Sequence, residues 1–148
     1  MWFDWFAQEW VPTIDSVCCA FVLALCGWCQ QIFDRQGNLQ RCFGKLGDAC
    51  GEFRMPRKIA IGPYDDIVVA DKINNRVQVF SSDGAFIQSY GGDKDPEQFG
   101  APVGVAVGAH GHIYVTEFGN DRVTVLVARS SSACVGACSG DKPSPRLR

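Results

Sequence analysis

An all-β fold made of repeated hairpin sheets is predicted for this chain from three observations. Its middle holds short β-branched or aromatic runs, the links between them are rich in Gly, Asp, Asn and Pro, and no run shows a helical period. Those features together describe successive antiparallel hairpins, because the runs suit a pleated surface and the links supply turn conformations.

The elements follow in order. Residues 1–30 form an apolar start that carries all four tryptophans and no Lys or Arg, with an uninterrupted apolar stretch from Val17 to Cys29. That stretch is too short for a membrane helix, which needs about 20 apolar residues, and extending it upstream meets Asp15 and Pro12. A signal peptide wants a cationic beginning, whereas Asp4 and Glu9 are acidic. The segment therefore reads as a short buried helix or a stretch without a settled fold. Within the patterned region the runs are Lys58 to Ile61, Ile67 to Ala70, Val77 to Phe80 and Ala85 to Tyr90. Gly37 and Gly84, each after a polar stretch, supply the positive φ of a tight hairpin. The closing 128–148, ARSSSACVGACSGDKPSPRLR, is small and polar and reads as a disordered tail.

The runs recur. At a displacement of 46 residues, Phe53 and Pro56 fall on Phe99 and Pro102, and Ile59-Ala60-Ile61 falls on Val105-Ala106-Val107. At the same displacement Ile67 to Asp71 falls on Ile113 to Glu117, and Asn75 to Phe80 falls on Asp121 to Leu126. At 47 residues, Gln31-Ile32-Phe33 falls on Gln78-Val79-Phe80, Gly37 on Gly84, and Phe43-Gly44 on Tyr90-Gly91. A four-stranded sheet recurring at this period is a propeller blade. The predicted architecture is a partial, open β-propeller of about two antiparallel four-stranded blades over 31–127.

Phe-x-x-Pro, Val-Ala-Val, Ile-x-Val-Ala-Asp, Asn-x-Arg-Val-x-Val-Phe, Asp-Gly and Phe-Gly, in that order, resemble the NHL repeat, whose copies form propeller blades. MPRKIAI and NNRVQVF look most like the TRIM-NHL proteins. That resemblance implies a propeller recognising RNA or protein partners, in a family whose N-terminal RING module transfers ubiquitin. No RING or B-box ladder is visible in this sequence: its two histidines, His110 and His112, share one turn. Secreted amidating lyases and some receptor kinases carry similar propellers.

Composition narrows the partners. A net charge of -2 gives no general attraction to nucleic acid or anionic lipid, so such a partner would have to be chosen locally. The local candidate is Arg54, Arg57 and Lys58, a basic cluster where the chain enters the innermost strand, in a region with ten Lys plus Arg against twelve Asp plus Glu. Arg76 and Arg122 recur at one repeat position near Asp71 and Glu117, which points to scaffolding by charge-assisted hydrogen bonds. Asp65-Asp66 reads as a turn, since its counterpart Gly111-His112 has no carboxylate. Of the eight cysteines only Cys42 and Cys50 lie in the patterned region, so no disulfide framework is expected and a cytoplasmic, reducing location is. Cys26-x-x-Cys29 lacks the strand and helix of a redox site, and Cys134 and Cys138 make a poor partner pair for zinc.

No catalytic residue, cofactor site, metal site or small-molecule substrate is predicted. The expected function is recognition of a protein or RNA, with self-association through open blade edges and no membrane attachment. The competing expectations are a fragment of a propeller lyase or hydrolase, a membrane-anchored display of blades, and a truncated gene product, because the resemblance begins and stops within a blade.

Overall fold

The computed structural model describes residues 21–23, 28–34, 36–92 and 98–127; of 21–23 it gives the backbone alone. The predicted tail at 128–148 and most of the apolar start lie outside the described residues.

Among the described residues ten strands form three antiparallel sheets. The first holds β1 (Phe21–Leu23), β2 (Gln30–Phe33) and β3 (Leu39–Phe43), and the middle one β4 (Pro56–Ile61), β5 (Ile67–Asp71), β6 (Arg76–Phe80) and β7 (Phe86–Gly91). The last holds β8 (Pro102–Val107), β9 (Ile113–Glu117) and β10 (Arg122–Leu126). In each sheet, neighbours in sequence are neighbours in space, as expected when tight hairpins join consecutive strands.

Registers repeat along with the sequence. In the middle sheet Ile67 pairs with Phe80 and Asp71 with Arg76; in the last, Ile113 pairs with Leu126 and Glu117 with Arg122. Both sheets skip one residue in the first pairing, at Arg57 and at Val103. Backbone conformation recurs too: Asn75 (φ 49°) and Asp121 (φ 47°) occupy one left-handed turn position, and Asp65 (φ 61°) and Gly111 (φ 77°) another. Asp65-Asp66 is thus a hairpin turn, closed by Gly62 N–H to Asp66 O at 2.8 Å.

β1 corrects the helical reading of the apolar start at residues 21–23. Residues 21–23 are a strand, with Phe21 opposite Phe33 and Val22 opposite Ile32, the register of Ile67 with Phe80 and Val68 with Val79. Phe-Val-Leu at 21–23 is therefore the counterpart of Ile-Val-Val at 67–69. An apolar run suits a strand of a stacked sheet as well as a buried helix, so the run itself does not discriminate. The first sheet corresponds to the second, third and fourth strands of the middle one. The last sheet corresponds to its first three.

Two cores lie between the three sheets. Ile32, Phe43, Phe53, Ile67, Val69 and Phe80 pack together, joining first sheet to middle, with Phe43 and Phe80 rings 4.9 Å apart. Ala60, Val68, Ala70, Val77 and Val79 pack against Phe99, Val105, Ile113, Val115 and Leu126, joining middle to last. Alternate apolar residues of β5 thus serve different cores, which is why Ile67, Val68, Val69 and Ala70 are all buried. The Phe-Gly signature has a packing reason: a side chain at Gly91 would begin 2.5 Å from the Phe99 ring, as one at Gly44 would from Phe53.

Candidate recognition site

The hairpin turns at 72–75 and 118–121 and the connection 44–55 between first and middle sheets share one end of the structure, because antiparallel order sends alternate links to opposite ends. The turn at 62–66, with the exposed Tyr64, is at the other end.

The connection is held by side chains of the sheet that follows it. The buried Asp71 carboxylate accepts from the backbone N–H of Arg54 (3.1 Å) and Met55 (2.9 Å) and from Asn74 Nδ2 (2.6 Å). Asn74 also donates to Gly47 O at 2.9 Å. Arg76, 7% exposed, donates to Asp48 O at 2.6 Å and to Ala49 O and Glu52 O at 2.9 and 2.7 Å. Its Nε lies 3.5 Å from Asp71 Oδ2. Gln78 donates to Glu52 O at 2.8 Å and accepts from Gly51 N–H at 2.9 Å. Arg76 therefore spends its fork on carbonyl oxygens, where the spacing alone suggested a carboxylate.

The last repeat solves the same problem with different lengths. Glu117 replaces Asp71 and reaches Gly100 N–H (2.8 Å), Asn120 Nδ2 (2.6 Å), Arg122 Nε (2.7 Å) and the Thr124 hydroxyl. Burial pushes the Glu117 carboxyl pKa up, but the bonds from Arg122, Thr124, Gly100 and Asn120 outweigh it and hold the group below its ordinary value. The same pairing raises the pKa of Arg122.

On this braced frame the predicted basic residues take distinct places. Arg54 is exposed in the connection, 3.8 Å from Asp48. Arg57 is exposed at the β4 bulge, and Lys58 is half-buried one residue on. Their repeat counterparts are Gly100, Val103 and Gly104. The same fold forms there without a cation, so these charges are not demanded by the blade. By contrast the Asp71 and Arg76 pair returns as Glu117 and Arg122.

Sequence reasoning missed the rest of this end. Lys72 donates its N–H to Met55 O at 3.0 Å, which sets its turn beside Arg54, and its Nζ lies 5.6 Å from the centre of the Phe118 ring. Phe118 is 71% exposed, and Leu46 and Ile73 are also exposed there. Phe118 and Lys72 are one position of the repeat, so the comparison that set aside Arg54 would have found them. Lys45 pairs with Glu52 at 3.1 Å and keeps that carboxyl below its usual range. His110 and His112 lie in a turn at the opposite end with rings 6.5 Å apart, and no group of three or more metal-ligating side chains occurs among the described residues.

Residues 53–80 and 99–126 match the sequence profile of the NHL repeat. The chain carries NHL repeats. The NHL region is similar to the Drosophila melanogaster protein brain tumor (39% identical over 56% of this chain) and to the Caenorhabditis elegans B-box type zinc finger protein ncl-1 (43% over 35%). It is also similar to the C. elegans protein lin-41, 47% identical over 30% of this chain. The matched parts are 8%, 6% and 4% of those proteins' lengths. Among solved structures, the WD40 β-propeller domain of Doa1 superposes with a TM-score of 0.55 at 18% identity, over 72% of this chain and 32% of that one. Streptogramin B lyase superposes with a TM-score of 0.53 at 17% identity, over 73% and 38%. Those likenesses show the fold: three consecutive sheets of a β-propeller, in an open arc.

Proposed function

We propose that the NHL region is a macromolecular recognition module whose contact surface is the loop end bearing Arg54, Lys72, Ile73 and Phe118, flanked by Arg57 and Lys58. The observation that carries this reading is the substitution of Gly100, Val103 and Gly104 for the three basic residues in a repeat of the same fold. Residues that a scaffold does not require, set on a loop end that it braces with buried hydrogen bonds, are what a binding surface needs. Exposed Leu46, Ile73 and Phe118 within a charged rim suit a protein surface best. RNA is the second reading, favoured by the adjacency of Lys72 and Arg54 to the Phe118 ring, since cations and an exposed aromatic hold single strands.

No helix among the described residues is long and apolar enough to cross a membrane. The reading includes a cytoplasmic location and self-association through open blade edges, which extends to the uncovered sheet faces beside them.

A photoactivatable residue in place of Phe118 tests it. Irradiation in cells is expected to yield an adduct that resists nuclease, is lost on proteolysis, and falls at least tenfold in an R54E/R57E variant. A nuclease-sensitive adduct selects RNA. Equal capture from Tyr64, at the opposite end, would sink the assignment of this surface.

A further inference from the structure

The middle sheet shows what normally covers a blade. Its forward side is formed by Ala60, Val68, Ala70, Val77 and Val79, which are 8%, 0%, 0%, 0% and 3% exposed because the last sheet lies on them. The equivalent side of the last sheet is Ala106, Tyr114, Thr116, Val123 and Val125. There Tyr114 is 43% and Val123 60% exposed, and Ala106 and Thr116 are exposed as well. The side is still mostly apolar, with the hydroxyls of Tyr114 and Thr116 where the middle sheet has Val68 and Ala70, and among the described residues no sheet lies upon it at this end of the arc.

At the other end the first sheet offers the complementary side. In the last sheet, Leu126 is one of the residues that cover the middle sheet, and its counterpart in the first sheet is Phe33. Phe33 is half-buried and pairs with Leu39, which is 52% exposed. The arc thus ends in one side of the kind that covers and one of the kind that is covered.

We infer that two copies of this chain join head to tail, the Val123 side of each against the Leu39 side of the other, as a closed ring of six sheets. The contact continues the interface already present twice within the chain, so it needs no new packing principle. A head-to-tail contact either closes or propagates. Propellers close with about four to eight blades. The three sheets formed by the described residues reach that range with two copies, whereas three copies would give nine sheets. The inference rests on the uncovered faces in the reading above and not on the loop-end surface; oligomeric state and partner capture are separate measurements.

Sedimentation velocity of the full chain over a hundredfold concentration range is the test, with V123D and L39D as variants. Both positions are exposed in the single chain, so each variant is expected to keep its β-sheet circular dichroism. The wild type is expected to sediment at twice 16.2 kDa. Each variant alone is expected to dissociate at least tenfold more readily. An equimolar mixture is expected to recover dimer, because one junction then joins two unaltered sides. A wild-type monomer, polymers that lengthen with concentration, a dimer indifferent to either substitution, or a mixture no better than its components would each overturn the ring.

Discussion

The middle and last sheets carry nearly the same pattern and differ in what surrounds them. β5 is buried at all five positions, while β9, its counterpart, alternates between buried and exposed. Val77 is fully covered and Val123 is 60% exposed, although the two hold the same place in the same repeat. Burial here is a property of the stack and not of the strand. A lone repeat cannot enclose its own side chains, which is why stability in such folds is a sum over neighbours.

The two carboxylates sharpen that contrast most. Removing Asp71 leaves the buried Arg76 without its counter-ion and takes one acceptor from Asn74 and the acceptor of the Arg54 and Met55 N–H groups, and D71A is expected to cost about 3–5 kcal/mol. In the last sheet the Arg122 side chain is 47% exposed and water can replace part of what Glu117 supplies, so E117A is expected to cost about 1–3 kcal/mol. Urea denaturation of the two variants measures the difference, and equal losses would mean that the repeats are braced alike.

Core truncation gives the next largest effect. V77A is expected to lose about 2–3 kcal/mol from two buried methyl groups and the cavity they leave. V123A, studied where the chain is monomeric, is expected to stay within about 0.5 kcal/mol. The turn shared by Asp65 and Gly111 comes third: G111A places a Cβ at φ 77° and is expected to cost about 1 kcal/mol in the same assay.

The smallest effect is in pH. Glu117 has a depressed pKa in the folded chain, so its contribution is present above the ordinary glutamate value of 4.5 and is lost as pH falls from there through the folded value. E117Q is expected to be less stable at neutral pH and to lose less on acidification over that window. Parallel acid limbs for wild type and E117Q in thermal melts would show that the carboxylate is not linked to folding.

Much of this molecule was legible before its coordinates. The 46-residue displacement places β4–β6 on β8–β10 within a residue or two, because hairpin signals and alternating faces are local properties of sequence. β1 was not legible for a definite reason. Its hairpin partner lies one residue nearer than in the middle sheet, and the sequence 24–29 has no acidic residue and no arginine like the Asp71 and Arg76 that mark the turn there. The bracing was half legible: the recurrence of Asp71 and Arg76 was visible, while Arg76 bonds carbonyls 24 to 28 residues away and Asp71 accepts from backbone N–H groups 16 and 17 residues away. The site needed the fold, since only hairpin topology brings Lys72, Arg54 and Phe118 to one end.

The connection 44–55 is fastened by Asp71, Asn74, Arg76 and Gln78, all of which come later in the chain than the segment they hold. Until β5 and β6 have formed, that segment has no anchor, and the first sheet has nothing fixed to dock on. Opening the middle sheet frees both at once. Melting from the interior therefore takes support from both neighbouring sheets, whereas fraying from β10 need disturb no more than one.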